Sequence, residues 1–139
     1  MISAGREAVM QILVGYNGSA ESKAAVKLAG ELAIPLDARV LVMTSMEGGT
    51  REKPEDISKA QAHLNEARRI MLAQGVPCEV FQSVRGLSPG EDMVDYAGRH
   101  DVDLIVVGVE KRSRTQKILL GSTAQFIILK APCPVLTVK

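Results

Sequence analysis

The residues best suited to binding chemistry lie in the last third of the chain. An apolar run ends at Gly108, and Gly121 begins a second element that continues with Ser122 and Thr123. Glycine lets the backbone approach a ligand closely, and a helix N-terminus offers unpaired N–H donors with a partial positive charge. The two hydroxyls add further donors, so the pattern predicts a phosphate-binding loop. The alternative is a strand-end turn followed by an ordinary serine cap, since the chain has neither a Walker motif nor the dinucleotide fingerprint G-x-G-x-x-G.

A basic loop connects the two glycines of this pattern. Its cations are Lys111, Arg112, Arg114 and Lys117. They are placed to meet a polyphosphate or another anion. A solvated, charged loop is the alternative interpretation.

Acidic residues and histidines are present but do not form a convincing metal site. The candidates are Glu91, Asp92, Asp95, His100, Asp101 and Asp103. Glu91 and Asp92 suit the first turn of a helix, where acids complement the dipole, and the last two aspartates flank the start of a strand. We therefore predict structural roles for them and no metal site.

Nucleophilic catalysis has little support in this sequence. Ser19 and Ser122 have no histidine nearby, His63 is expected on a surface helix, and Cys133 between two prolines is typical of a small apolar residue. We expect no catalytic residues.

Strands and helices are predicted to alternate along the chain. The predicted strands cover residues 11–16, 39–45, 78–84, 103–107 and 134–138, and the predicted helices cover 19–33, 55–74, 89–100 and 122–130. Pro35 is expected to stop the first helix, Gly75 to cap the second, and Ser88 with Glu91 to form a capping box on the third. Residues 46–55 are expected to contain a loop, and whether it closes over a ligand is left open.

This alternation predicts an α/β fold with an open parallel sheet covered by helices on both faces. Ligands of such sheets lie outside the carboxyl ends of the strands, where the strand order reverses. Gly15, Asn17, Ser45 and Gly108 all fall at predicted carboxyl ends. Position alone makes them candidate site residues.

Composition restricts the class of protein further. The chain has 139 residues, which is most simply one domain over 1–139, and its net charge of +1 with only 3% aromatic residues argues against nucleic-acid binding. No apolar run reaches membrane-spanning length, so we expect no membrane contact. Two cysteines without a paired spacing favour a reducing, cytoplasmic location.

Taken together, these segments resemble the universal stress protein family. The resemblance is carried by Ile12-Leu-Val-Gly-Tyr-Asn-Gly-Ser19, Asp103-Leu-Ile-Val-Val-Gly108, Ile118-Leu-Leu-Gly-Ser-Thr123 and Ala131-Pro-Cys-Pro-Val135. It implies a Rossmann-like, five-stranded sheet of order 3-2-1-4-5 with two helices on each face. It also implies a homodimer formed through the fifth strand, residues 134–138.

Many members of that family bind ATP between the first and fourth strands. Their signature is Gly, two residues, Gly, nine residues, then Gly followed by Ser or Thr. Gly108 matches the first glycine and Gly121 with Ser122 match the last pair, but Lys111 replaces the middle glycine. Asn17 also stands where the family usually has aspartate, which would weaken any Mg²⁺ or ribose contact.

The resemblance therefore leaves two functional hypotheses. In the first, the protein binds ATP, ADP or AMP as a switch in stress response, with or without Mg²⁺, and hydrolyses it slowly at most. Gly15, Asn17 and Ser45 would line the adenosine side, and the phosphates would be held by Gly108, Lys111, Gly121, Ser122 and Thr123. In the second, it is a dimeric interaction module without a nucleotide, its cleft altered by Lys111 and Asn17.

Overall fold

Five strands and four helices alternate along the part of the chain that the structure describes. The structure, a computed structural model, describes residues 9–46, 53–110 and 120–139. The elements are β1 (Gln11–Gly15), α1 (Ala20–Leu36), β2 (Arg39–Met46), α2 (Pro54–Gln74), β3 (Cys78–Val84), α3 (Pro89–Arg99), β4 (Leu104–Gly108), α4 (Ser122–Lys130) and β5 (Val135–Val138). No helix among these residues is long and apolar enough to cross a membrane.

All five strands form one parallel sheet in the order β3-β2-β1-β4-β5. Strand β1 lies at the centre, where Leu13 pairs with Leu41 of β2 on one side and with Ile105 of β4 on the other. Near-continuous apolar strands are required because both faces of a parallel sheet are covered. The predicted fold class and strand order are confirmed.

The sheet divides the hydrophobic core into two layers. Ile12 and Val14 of β1 point into one layer, which α1 and α2 cover with residues such as Val26 and Met71. Leu13 points into the other layer, where α3 and α4 contribute residues that include Met93 and Ile127. Alternate residues of one strand thus serve opposite layers, as strand geometry requires.

The end of α1 differs from the prediction. The helix continues through Pro35 to Leu36 and ends at Asp37, whose φ of 52° is left-handed. Proline removes its own N–H donor and crowds the carbonyl of the preceding turn, yet the helix continues for one more residue, and the Asp37 N–H then reaches the carbonyls of Ala33 and Ile34. The left-handed cap, rather than the proline, ends this helix.

The other predicted helix ends agree with the structure. Gly75 is the left-handed cap of α2, and Ser88 and Glu91 form the capping box of α3. The remaining boundaries are unchanged or shift by one residue. Strand β2 extends to Met46, so it includes the first residue of the predicted loop, and residues 47–52 of that loop lie outside the described residues.

Candidate functional site

A cavity of about 320 Å³ opens at the carboxyl ends of the central strands. It lies where β1 separates β2 from β4, the point at which the strand order reverses. Seven predicted site residues line it together: Gly15, Asn17, Ser45, Gly108, Gly121, Ser122 and Thr123. The eighth, Lys111, falls in the 111–119 segment outside the described residues.

The N-terminus of α4 forms one wall of this cavity. Gly121 is the N-cap residue, with an extended backbone and no side chain to accept from the first-turn N–H groups. Its carbonyl accepts from the Gln125 N–H, and the Gln125 side chain donates to the Leu120 carbonyl at 2.8 Å, which together fix the entry to the helix. Among the described residues no side chain caps the first-turn N–H groups, so these groups and the hydroxyls of Ser122 and Thr123 can donate to an anion.

The three cavity glycines do not have the same physical role. A Cβ at Gly108 would clash with the backbone of Glu21 in α1, and one at Gly15 would lie 2.8 Å from the sulfur of Met93. Both glycines thus allow helices to pack on the strand ends. Of the three, only Gly121 would place a Cβ with none of the described residues within 4 Å, so among those residues this glycine leaves open space beside the helix N-terminus. Glycine was expected at position 108 to let a ligand approach the backbone closely, but in the structure it is helix α1 that makes this close approach.

Asn17 has a defined orientation in the turn between β1 and α1. Its side-chain oxygen accepts from the Ser19 N–H at 3.0 Å, and Ser19 in turn caps α1 by accepting from the Ser22 N–H. With its oxygen committed to the turn, Asn17 presents its NH₂ group as a donor. An aspartate in this position would present a second anionic oxygen instead.

Ser45 belongs to a buried charge network that the sequence patterns did not predict. Its hydroxyl donates to one carboxylate oxygen of Asp92 at 2.7 Å, and Arg85 donates to the other from Nε at 3.1 Å and Nη2 at 2.6 Å. Arg85 also contacts Asp95 at 2.8 Å. The Asp92 side chain is 0% exposed. The contacts of Asp92 with Ser45 and Arg85 depend on how the turn after β3 folds back on α3. Hydrophobic periodicity and motif spacing in the sequence do not predict that arrangement.

Asp92 is ionised despite its burial. Burial raises the pKa of the carboxyl, but hydrogen bonds from Arg85, Ser45 and Ser83, together with the Arg85 charge, hold the pKa below its usual value. Removing Arg85 would leave the Asp92 charge buried without its cationic partner, which destabilises a fold. The network therefore fixes the Ser45 end of the cavity.

His63 is half-buried, which differs from the surface position expected for it. It lies on α2 and meets the ring of Tyr16 edge-on, with ring centres 6.0 Å apart. Tyr16 itself is buried and lines the cavity. Burial lowers the pKa of His63, and the charges of Lys59 and Lys23 lower it further.

Two acidic residues are among those that line the cavity. Glu21 and Glu110 contribute to its wall, whereas none of the described lining residues is basic. Within the described ranges, no three His, Cys, Asp or Glu side chains come together as a metal-binding group. Positive potential from the described part of the site thus comes from backbone N–H groups and the Asn17 amide.

An open parallel sheet with a polar cavity at its switch point defines a Rossmann-like α/β protein. The universal stress protein family matches residues 9–139. A universal stress protein of Mycolicibacterium smegmatis is 34% identical over 128 residues, covering 92% of this chain and 96% of that protein. The chain belongs to the universal stress protein family, as its motifs predicted.

Solved structures of the family share the architecture. The universal stress protein of Archaeoglobus fulgidus is 38% identical, with a TM-score of 0.86 over 94% of this chain and 98% of that one. The Archaeoglobus fulgidus protein in complex with dAMP is 35% identical, with a TM-score of 0.79 and the same coverage.

Proposed function

We propose that this protein binds an adenine nucleotide in the cavity between β1 and β4 and serves as a ligand-dependent switch in stress response. The observation that carries the proposal is the N-terminus of α4, which has glycine and no capping side chain at its N-cap and borders a cavity at the switch point of the sheet. The cavity volume, about 320 Å³, lies within the range of small-molecule sites. A relative that is 35% identical was solved with dAMP, which supports this ligand class.

The charge distribution gives the nucleotide a direction. Its phosphate would lie at the N-terminus of α4, against Ser122, Thr123 and the backbone at Gly121, where N–H groups favour an anion. Its nucleoside would extend across β1 toward Asn17 and Ser45. A phosphate beside Ser45 is disfavoured, because the ionised Asp92 lies directly behind that hydroxyl.

The number of phosphates depends on compensating charge. Glu21 and Glu110 repel a polyphosphate, so ATP would need Mg²⁺ or the cations Lys111, Arg112, Arg114 and Lys117 to neutralise it. A monophosphate places less charge near these acids. We therefore expect AMP to bind without Mg²⁺ and ATP to depend on it.

We propose no catalytic residues for this cavity, and at most slow hydrolysis of ATP. The described residues that line the cavity include no histidine, cysteine or lysine, the side chains that most often act as general base or nucleophile. The cytoplasmic location inferred from the sequence remains a prediction.

The competing hypothesis is a dimeric interaction module with no nucleotide. The acidic lining of the described cavity favours it, because Glu21 and Glu110 oppose anion binding. Lys111 decides between the two hypotheses. If Lys111→Gly raises affinity for ATP, the lysine obstructs the cleft, and if affinity falls, the lysine is a ligand.

Thermal unfolding with added nucleotides tests the proposal on the intact protein. A ligand present at 100 times its Kd stabilises the folded state by about 2.7 kcal/mol, which raises Tm by several degrees. We expect AMP, and ATP with Mg²⁺, to raise Tm, and CMP to do so far less. Equal shifts for AMP and CMP, or no shift with either, would contradict an adenine-nucleotide site.

A further inference from the structure

The hydroxyl proton of Ser45 has a fixed destination. A serine hydroxyl has one donor hydrogen and two acceptor lone pairs, whereas an ionised carboxylate can only accept. Because the Ser45 oxygen lies 2.7 Å from Asp92 Oδ2, the hydrogen of this pair must come from Ser45. Toward the cavity, Ser45 is left with lone pairs alone.

Arg85 keeps Asp92 in its ionised form. The guanidinium donates two hydrogen bonds to Asp92 Oδ1, at 3.1 Å from Nε and 2.6 Å from Nη2, a geometry that favours the anion strongly. Asp95 accepts from the same Nη2 at 2.8 Å and, among the described residues, makes no hydrogen bond to Ser45 or Asp92. A neutral Asp92 would lose this arrangement, and only a neutral Asp92 could donate to Ser45.

We propose that Asp92 is a positioning residue that makes Ser45 an obligate hydrogen-bond acceptor, so that the cavity selects ligands presenting an N–H or O–H donor at its β2 end. The inference rests on the proposed function, since it assumes that the cavity takes a nucleotide. It assigns the ligand specificity of the cavity to the pair of Ser45 and Asp92, in which Asp92 is buried behind Ser45.

The sheet geometry limits which ligand group Ser45 meets. Ser45 lies on β2, and β1 separates β2 from β4, so the β2 end stands about 10 Å from the β4 end at the usual strand spacing. With the phosphate at α4, the β2 end receives the nucleoside. Its donors are the exocyclic amino group of adenine and the two ribose hydroxyls, and any of them supplies the chemistry that Ser45 requires.

Analogues lacking one donor each identify the group. Calorimetric titrations would compare AMP with purine riboside 5′-monophosphate, which lacks the amino group, and with 2′-deoxy-AMP and 3′-deoxy-AMP. We expect one analogue to bind wild-type protein about tenfold or more weakly than AMP, the loss typical of one partly buried hydrogen bond. In Ser45→Ala the same analogue should bind within about threefold of AMP.

Asp92→Asn tests the positioning role through specificity rather than affinity. An asparagine amide can donate to Ser45 and free its hydroxyl proton, so discrimination between AMP and the selected analogue should shrink to less than about threefold. Asp95→Asn is the matched control, because Asp95 contacts Arg85 and Arg99 without touching Ser45. It should keep the wild-type discrimination even if it lowers Tm.

Several results would overturn the inference. The first is that all three analogues bind wild-type protein as tightly as AMP does. The others are that Ser45→Ala, or a folded Asp92→Asn, still discriminates between AMP and the selected analogue as strongly as the wild type. If Asp92→Asn fails to fold, Ser45→Ala alone decides, since it keeps the ion pair of Asp92 with Arg85. Failure of wild-type protein to bind AMP at all would instead contradict the proposed function, and the inference with it.

Discussion

At the scale of single residues, Gly121 is the position most directly tied to the proposed function. In the part of the chain that the structure describes, nothing lies within 4 Å of a Cβ placed there, and the extended backbone of Gly121 is that of a normal N-cap residue. Asp and Asn at this position should therefore be accommodated and should cap α4. They differ only in the charge that they place where the phosphate is proposed to lie.

Gly121→Asp should thus separate stability from binding. We expect an unfolding free energy equal to or above that of the wild type, because Asp caps a helix slightly better than Gly. Nucleotide affinity should fall by about tenfold or more, since a carboxylate about 4 Å from a phosphate costs at least 1 kcal/mol in water and more in a cavity. Calorimetry and chemical denaturation measure the two quantities.

Gly121→Asn is the matched control, with the same shape and no charge. We expect Gly121→Asn to cap α4 as well as Gly121→Asp does and to lose less affinity for the nucleotide. Equal affinity losses in both variants would show that bulk, not charge, is responsible, and unchanged affinity in Gly121→Asp would place the phosphate elsewhere.

His63 gives a prediction about pH. Its folded-state pKa is lowered from 6.5 by burial and by Lys59 and Lys23, so the unfolded chain binds this proton more readily. The contribution of His63 to stability is therefore fully present above pH 6.5 and decreases as the pH falls through the folded-state pKa.

Denaturation curves between pH 5 and pH 8 should show this decrease, and His63→Gln should reduce its slope. Lys59→Gln, which removes one of the repelling charges, should raise the pKa of His63 as measured by NMR titration. A His63 pKa at or above 6.5 in the folded wild type would contradict this interpretation.

The sequence reveals some residues of the site and conceals others, for physical reasons. Gly121, Ser122 and Thr123 follow one another in the chain, so a local pattern is enough to single them out, and the structure places them on one cavity wall. Asp92 and Arg85 carry no such pattern. The pairing of Asp92 with Ser45 across 47 positions exists only once β2, β3 and α3 have packed together.

At the scale of elements, the packing of α3 against α4 positions the N-terminus of α4. A Cβ at Gly90 of α3 would lie 3.2 Å from the Cβ of Phe126 and 3.3 Å from the carbonyl oxygen of Thr123. Gly90 thus permits the close approach of the two helices. At Gly98, on the same helix, a Cβ would meet nothing within 4 Å, so this glycine provides the natural comparison.

Substitution of these two glycines by alanine should act in opposite directions. Gly98→Ala should stabilise the protein by up to about 1 kcal/mol through helix propensity. Gly90→Ala should lose that gain, with a net cost of about 1 kcal/mol or more, because tight contacts with α4 must relax. Denaturant midpoints measure both, and a Gly90→Ala variant as stable as Gly98→Ala would show that α4 does not depend on this contact.

Element types were predictable because apolar runs and helical periodicity are strong along most of the chain. The ends of elements were less predictable where a helix-breaking residue and a capping residue lie close together. Pro35 indicates a helix end, yet α1 ends only at the left-handed Asp37, whose N–H is bonded to two carbonyls. A sequence pattern does not show where a non-glycine residue will adopt that conformation.

At the scale of the whole molecule, the sheet has two edges with different surfaces. Strand β5 ends the sheet on one side, where Leu136 is 38% exposed, and β3 ends it on the other, where Val84 is 54% exposed. An uncharged edge strand offers unpaired backbone groups to a second strand. We propose that β5 forms the homodimer interface expected from the family resemblance.

Charge placed on each edge tests this proposal. Leu136→Lys should convert the dimer to a monomer in sedimentation, since it buries a lysine in the interface. Val84→Lys, the control on the opposite edge, should leave the dimer intact. A monomeric wild type, or a dimer that survives Leu136→Lys and not Val84→Lys, would contradict an interface at β5.

The α/β class of the fold followed from the alternation of strands and helices, which admits few topologies, whereas the order of the strands followed from the family resemblance. The ligand of the protein does not follow in the same way, since Lys111 and Asn17 depart from the family's nucleotide signature while the acidic Glu21 and Glu110 line the cavity. Whether a nucleotide binds depends on how far the N–H groups of α4 outweigh the repulsion from Glu21 and Glu110, and a sequence motif does not give the size of either contribution.

Titration calorimetry of AMP into protein freed of carried nucleotide, with ATP titrated in the presence and absence of Mg²⁺, is the most direct test of that balance. We expect AMP to bind with a micromolar Kd, about 8 kcal/mol of binding free energy, and to lose affinity in Gly121→Asp. No binding of either nucleotide, with or without Mg²⁺, would contradict the proposed function and leave the interaction module as the better explanation of this fold.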